Sequence, residues 1–257
     1  MKVHCMAAAL LIAASASVTA ADEPGGRFSL GVGADYSTGK YGRSESTDVT
    51  YVPVMARYET DRWLFKLTVP YVSISGPGTV VGGDRPIVVD GAGNAQRRTV
   101  SGLGDVVTSA GYTAYSTSAL TLDVTGKVKF ATASESDGLG TGKNDYSLQA
   151  DAYRSFGAFT AFAGAGYRWY GDPAGIDLRD VVFGSVGGTY KVTPTVTAGA
   201  AFDYRGAIVA GRDPIVELSP FVSVKITNNT KVQLYAVRGF TDASVDWGGG
   251  LVLIHTY

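Results

Sequence analysis

Ala119-Leu-Thr-Leu-Asp-Val-Thr-Gly-Lys-Val-Lys-Phe-Ala-Thr132 and, after a glycine loop, Asp145-Tyr-Ser-Leu-Gln-Ala-Asp-Ala152 decide the fold. In the first run Leu120, Leu122, Val124, Val128 and Phe130 share one face, while Thr121, Asp123, Thr125, Lys127 and Lys129 share the other. In the second, Tyr146, Leu148, Ala150 and Ala152 alternate with Asp145, Ser147, Gln149 and Asp151. A period of two is the signature of a strand, here with one greasy and one charged face. A closed ring of such strands is a membrane barrel, so the question becomes whether the whole chain repeats the pattern.

It does. Strand one, 27–37, sets Phe28, Leu30, Val32, Ala34 and Tyr36 against Ser29, Gly31, Gly33 and Asp35. Strand two, 48–59, sets Val52, Val54, Ala56 and Tyr58 against Tyr51, Pro53, Met55, Arg57 and Glu59. Strand three, 62–73, sets Trp63, Phe65, Leu67, Val69 and Tyr71 against Lys66 and Thr68. Strand four, 105–115, has a weaker alternation, and strands five (119–132), six (145–155) and seven (158–170) follow from the opening block. Strand eight is 180–191; strand nine carries Val196 to Tyr204 on one face and Asp203 and Arg205 on the other. Strand ten, 214–227, opposes Leu218 and Val222 to Glu217 and Lys225. Strand eleven is 230–240, with Arg238 breaking the pattern of Val232, Leu234 and Ala236, and strand twelve is 245–257.

Connections after strands two, four, six, eight and ten are short, and those after the odd strands are longer, the longest being 74–102. Such regularity predicts an all-β, antiparallel up-and-down barrel of about 12 strands with tight turns on one side of a membrane and long loops on the other. A strand of ~10 residues rises ~33 Å and, tilted, spans the ~25 Å apolar band such barrels need. Phe130, Tyr146, Tyr167 and Trp169, at strand ends, would belong to its aromatic girdles.

The leader Met1-Lys-Val-His4, the apolar run Met6 to Ala16 and the small residues Val18 and Ala20 read as a secretory signal peptide over 1–20, leaving 21–257 as the barrel. Cys5 is the only cysteine and lies in that leader, so disulfides and cysteine metal sites are not expected in the mature chain. After the leader no apolar run approaches the ~20 residues of a spanning helix, so any span must be made of strands and the expected location is the outer membrane. Without Lys2 the mature chain has 21 basic against 23 acidic side chains, and nothing in that balance recruits nucleic acid.

Four motifs carry a family resemblance: Gly102-Leu-Gly-Asp105, Lys129-Phe-Ala-Thr132, Gly138-Leu-Gly-Thr-Gly-Lys-Asn-Asp-Tyr146 and Gly166-Tyr-Arg-Trp-Tyr-Gly-Asp-Pro173. Through them the sequence resembles the outer-membrane proteins associated with the meta-pathway of phenol degradation. The resemblance implies a barrel and a transport-like role for aromatic or hydrophobic compounds, and names no substrate, cofactor or binding residue. The last strand, ending on Tyr257 with hydrophobics at alternate positions before it, resembles the terminal strand through which outer-membrane barrels meet their assembly machinery. Expected partners are therefore outer-membrane lipid, that machinery and a small-molecule solute.

Gly138 to Lys143 does not meet the spacing or context of a phosphate loop, because Lys143 is followed by Asn144 and a strand. A flexible glycine loop outside the barrel is the plainer expectation. His255 is the one histidine of the mature chain and falls near the tight-turn end, where an interfacial role is expected rather than Ser/His catalysis. No enzymatic role and no cofactor or metal are expected. With the greasy face toward lipid, the candidate pore-lining residues are Asp35, Arg57, Lys66, Asp123, Lys127, Lys129, Asp151, Arg168, Asp203, Arg205, Glu217 and Lys225. Their mixed signs fit a hydrated wall without strong ion selectivity. The expected function is passive uptake of small solutes, aromatic or hydrophobic ones among them; the alternatives are a structural or surface-interaction barrel with an occluded lumen, and a soluble periplasmic β protein. Arg97 and Arg98 would then lie at the mouth, with loop 74–102 folded inward or capping it.

Overall fold

A computed structural model describes residues 26–257 apart from 78, 82–86, 90–97, 174 and 176. The expected signal peptide and Arg97 lie outside the described residues. The wall consists of β1 (Arg27–Gly39), β2 (Thr47–Glu59), β3 (Trp63–Gly76), β4 in two segments (Arg98–Leu103 and Val107–Ser116), β5 (Leu120–Lys129) and β6 (Asp145–Phe156). It continues with β7 (Phe159–Trp169), β8 (Val181–Lys191), β9 (Val196–Arg205), β10 (Ile215–Lys225), β11 (Thr230–Gly239) and β12 (Trp247–Thr256). Each strand pairs antiparallel with its neighbours in the chain, and β1 pairs with β12, from Ser29 opposite Thr256 to Thr38 opposite Trp247. The ring is therefore closed. Closure satisfies every edge, which is what lets strands cross hydrocarbon.

Side-chain polarity explains the facing. Phe28, Leu30, Val32, Leu122, Val124, Leu148, Leu234, Leu251 and Leu253 stand on the exposed outer face, and their sequence neighbours Ser29, Asp123, Gln149, Gln233 and Val252 are buried inside. Outward aromatic rings gather at both strand ends. At the tight-turn rim Phe28 meets Tyr257 at 6.0 Å and Trp63 meets Tyr112 at 4.9 Å; at the long-loop rim Tyr36 meets Trp247 at 5.6 Å and Tyr167 meets Trp169 at 5.0 Å. Those are the two interfacial belts of a transmembrane barrel.

Three prolines mark where the ladder breaks, because proline has no N–H to donate. Pro70 on β3 faces the gap 104–106 that divides β4, across which Gly104 N still donates to the Pro70 carbonyl at 2.9 Å. Pro53 interrupts the β1–β2 pairing and Pro220 the β10–β11 pairing, with register preserved on either side. The weak alternation of strand four has its cause here and in a register shift between Thr113 and Tyr115 that turns Tyr115 outward.

The longest connection is shorter than expected. β3 runs on to Gly76 and β4 begins at Arg98, and between them Thr79–Val81 pairs with Ile87–Val89 as an outer hairpin. The inner face is also less polar than expected. Met55, Val252 and Ile254 form a buried cluster, and Tyr153, Phe162 and Phe221 are buried on the same face. Inward glycines make room for such rings: a Cβ on Gly187 would lie 2.5 Å from the Phe162 ring, and one on Gly199 would lie 2.6 Å from Phe221. Large side chains thus lie along the wall instead of standing across the lumen.

Candidate functional site

All twelve candidate charged residues occupy inward positions of their strands, with Asp123, Lys129, Asp151, Arg168 and Glu217 buried and Asp35, Arg57, Lys66, Lys127, Asp203, Arg205 and Lys225 half-buried. Register brings like charges together. Arg57 stands opposite Lys66, Asp123 opposite Asp151, and Asp203 opposite Glu217. Directly opposed like charges cost stability, so each pair depends on compensation from neighbours. Two such neighbours are Gln149, whose Nε2 donates to Asp151 Oδ1 at 2.7 Å, and Glu59, 3.1 Å from the Arg57 guanidinium.

Near the long-loop rim, residues from all four motifs converge on Lys129. Its ammonium lies 2.9 Å from Asp105 Oδ2 and 3.2 Å from Asp145 Oδ2, and donates to Thr141 Oγ1 at 3.3 Å. The side chains of Lys129, Asp105 and Asp145 are 4%, 0% and 3% exposed, so this is a desolvated triad. Asp105 Oδ1 accepts the N–H groups of Thr132 and Ala133 at 3.1 and 3.0 Å, and Asp145 Oδ1 accepts that of Gly171 at 3.2 Å. Arg168 completes the group, with its guanidinium 5.7 Å from the Tyr170 ring and 5.9 Å from that of Phe183. One cation thereby ties β4, the β5–β6 connection and the start of the β7–β8 connection.

The glycine loop between β5 and β6 is consequently not the flexible outer loop expected from its composition. Leu139 and Thr141 are buried, and Leu139 joins Tyr41, Val49, Tyr51, Val72, Ile74 and Ala133 in one apolar cluster inside the mouth. Its glycines permit that approach: a Cβ on Gly140 would meet Ala133 at 2.8 Å and Asp105 at 3.1 Å, and Gly142 has φ +67°. On the partner strand Gly102 leaves the space that the Leu139 methyl fills, 2.8 Å from where a Cβ would stand.

Beside this plug, the long-loop ends of β1, β2, β9, β10, β11 and β12 line an open vestibule with a cavity volume of about 70 Å³. Its lining includes Asp35, Glu217 and Arg205 together with the tyrosines 41, 51 and 235, on an apolar base of Ile215 and Val237. Tyr41 separates vestibule from plug. It is the only described non-glycine residue with positive φ, +50°, and is 8% exposed. A non-glycine residue held in that region marks a position the surroundings overdetermine. Burial raises its phenol above the ordinary range, and the carboxylates of Glu217, Asp246 and Asp48 raise it further.

Sequence reasoning listed Lys129 as a wall residue and placed Asp105 and Asp145 on strands, but did not join the three, because their meeting depends on register. Nothing in the string signals the positive φ of Tyr41, in the connection between β1 and β2. His255 faces outward at the tight-turn rim, its Nδ1 2.9 Å from Thr230 Oγ1 and its ring 4.8 Å from that of Tyr257. Among the described residues no group of three or more acidic, histidine or cysteine side chains is placed to hold a metal.

Comparison with known proteins follows the fold. A family model described as "Putative MetA-pathway of phenol degradation" matches residues 20–257. Among solved structures, an outer membrane channel from Pseudomonas putida F1 superposes with a TM-score of 0.68 at 16% identity, over 94% of this chain and 100% of that one. The NanC porin superposes at 0.57 with 9% identity, covering 88% and 98%, and the KdgM porin at 0.53 with 10% identity, covering 89% and 99%. No curated protein matches the sequence.

Proposed function

The chain belongs to the family described as the MetA-pathway of phenol degradation, and from that premise we propose that it is a passive outer-membrane channel for small solutes, aromatic or hydrophobic ones among them. The observation that carries the reading is the open vestibule at the long-loop rim, which stands at the head of an inner wall bearing the twelve charged side chains. A solute would leave water for a site with apolar walls and a few polar groups, then pass down its gradient along the wall. The twelve residues serve in this reading as the wetted side of the path. Export by a cleaved leader over 1–20 and recognition of the strand ending at Tyr257 by the assembly machinery belong to the same proposal.

The test is conductance. Purified, folded protein in planar bilayers should open discrete steps in KCl, and liposomes containing it should admit small aromatic solutes. A second reading, a structural barrel with a closed lumen, is favoured by the burial of Ser219, Val252 and Asp123 at 0%, 1% and 2% exposure and by the plugging β5–β6 connection. Normal assembly with no conductance would establish that reading and remove the first.

A further inference from the structure

Three charged side chains stand at lipid-facing positions of the described strands: Asp48 on β2, Arg154 on β6 and Arg238 on β11. Two of them are met within the chain. Asp48 Oδ1 accepts the hydroxyls of Tyr36 and Thr38 at 3.1 and 2.7 Å, and the Arg154 guanidinium lies 5.2 Å from the centre of the Phe156 ring. Arg238, which interrupts the apolar alternation of its strand, is held differently. Its Nη1 donates to the Asp246 carbonyl, and no carboxylate or aromatic ring among the described residues pairs with it. That bond turns the guanidinium toward the long-loop connections, and the side chain is exposed. The other cations nearest that rim, Lys40, Arg43 and Arg212, belong to connections beyond the strand ends.

Register sets what surrounds the guanidinium. Arg238 stands between Leu218 on β10 and Trp247 on β12, and Trp247 packs on Tyr36 in the aromatic belt of that rim. Belt aromatics sit at headgroup height, so Arg238 is level with the charged groups of the outer leaflet. Four residues back along β11, about 13 Å nearer the midplane, Leu234 stands between Val222 and Leu251, and all three are exposed. A cation above an apolar strip is the complement of an amphiphile whose phosphate lies above its acyl chains. Guanidinium grips phosphate with two parallel hydrogen bonds and keeps its charge at a membrane interface. The amphiphile of the outer leaflet of an outer membrane is a phosphorylated glycolipid. We propose that Arg238, with Trp247 and Leu218 beside it and Leu234 and Leu251 below, is a docking site for a phosphate of that glycolipid. The site lies on the outside of the wall and stands whether or not the barrel conducts.

The experiment is lipid binding by the folded barrel in detergent, read by native mass spectrometry with diphosphoryl lipid A, dephosphorylated lipid A and phosphatidylglycerol as probes. Diphosphoryl lipid A should bind in preference to both of the others. Arg238→Gln should weaken that binding about fivefold. Arg238→Lys should recover part of it, because lysine keeps the charge and loses the fork. Arg154→Gln, at the opposite rim, should leave it unchanged. Heat-modifiable electrophoretic mobility shows that each variant has folded. Equal binding of the diphosphoryl and dephosphorylated forms would overturn the phosphate site, and equal binding of phosphatidylglycerol would overturn its assignment to the glycolipid. Unchanged binding by Arg238→Gln would overturn the role of Arg238. A dimer that Arg238→Gln dissolves, with no lipid A bound, would give this face to a second copy of the chain and overturn the proposal.

Discussion

Lys129 holds its place through three oxygen partners at 2.9, 3.2 and 3.3 Å, all in a site that water does not reach. Removing one member of a buried charge group leaves the others desolvated without compensation, which typically costs about 3–5 kcal/mol. Lys129→Met keeps the length and removes the charge, so urea unfolding in detergent should show a loss of about that size. Lys127→Met, on a half-buried position of the same strand, should lose less than half as much. Each member of the triad was legible in the sequence as a charged residue at an inward position. What could not be read was the distance between them, because Asp105 and Lys129 are joined only by the pairing of β4 with β5.

At the scale of elements, the β5–β6 connection behaves as a packed piece of the mouth. Its Leu139 fills the space left by Gly102 on β4, and Arg98 Nη2 donates to the Asp137 carbonyl at 3.1 Å from the same strand. A side chain at Gly102 must expel Leu139. Gly102→Val should therefore loosen the connection, read as faster tryptic cleavage after exposed Lys143 in the folded barrel. Leu139→Ala alone should also loosen it, whereas the double variant should be cleaved more slowly than the two effects combined, since the valine then occupies the vacated volume. Composition points the other way here: three glycines and small polar residues read as a free loop, yet glycine equally allows the close approach that Gly140 makes to Asp105.

For the whole molecule, closure of the ring is the event on which the fold depends. Ser29 and Thr256 are register partners on β1 and β12, with their hydroxyl oxygens 2.9 Å apart. Since Cys5 is the only cysteine of the sequence, the pair Ser29→Cys, Thr256→Cys should form a single disulfide on oxidation, seen as a reducible shift in the denatured protein's mobility. Pairs placed at Ser29 and Ser185, on β1 and β8, should form none. The sequence by itself determined the strand count, the faces and the alternation of tight turns with long connections, because alternation of polarity is local and a lipid-facing wall tolerates no exception along its middle. It also puts the twelve charged residues on the polar faces of those strands. Only the tertiary structure decided the proline breaks' effect on β4, the apolar cluster of Met55, Val252 and Ile254 inside the wall, the strained Tyr41 and the triad around Lys129. Those features are set by which residues of different strands stand side by side, and register around a closed ring is a property of all the strands at once.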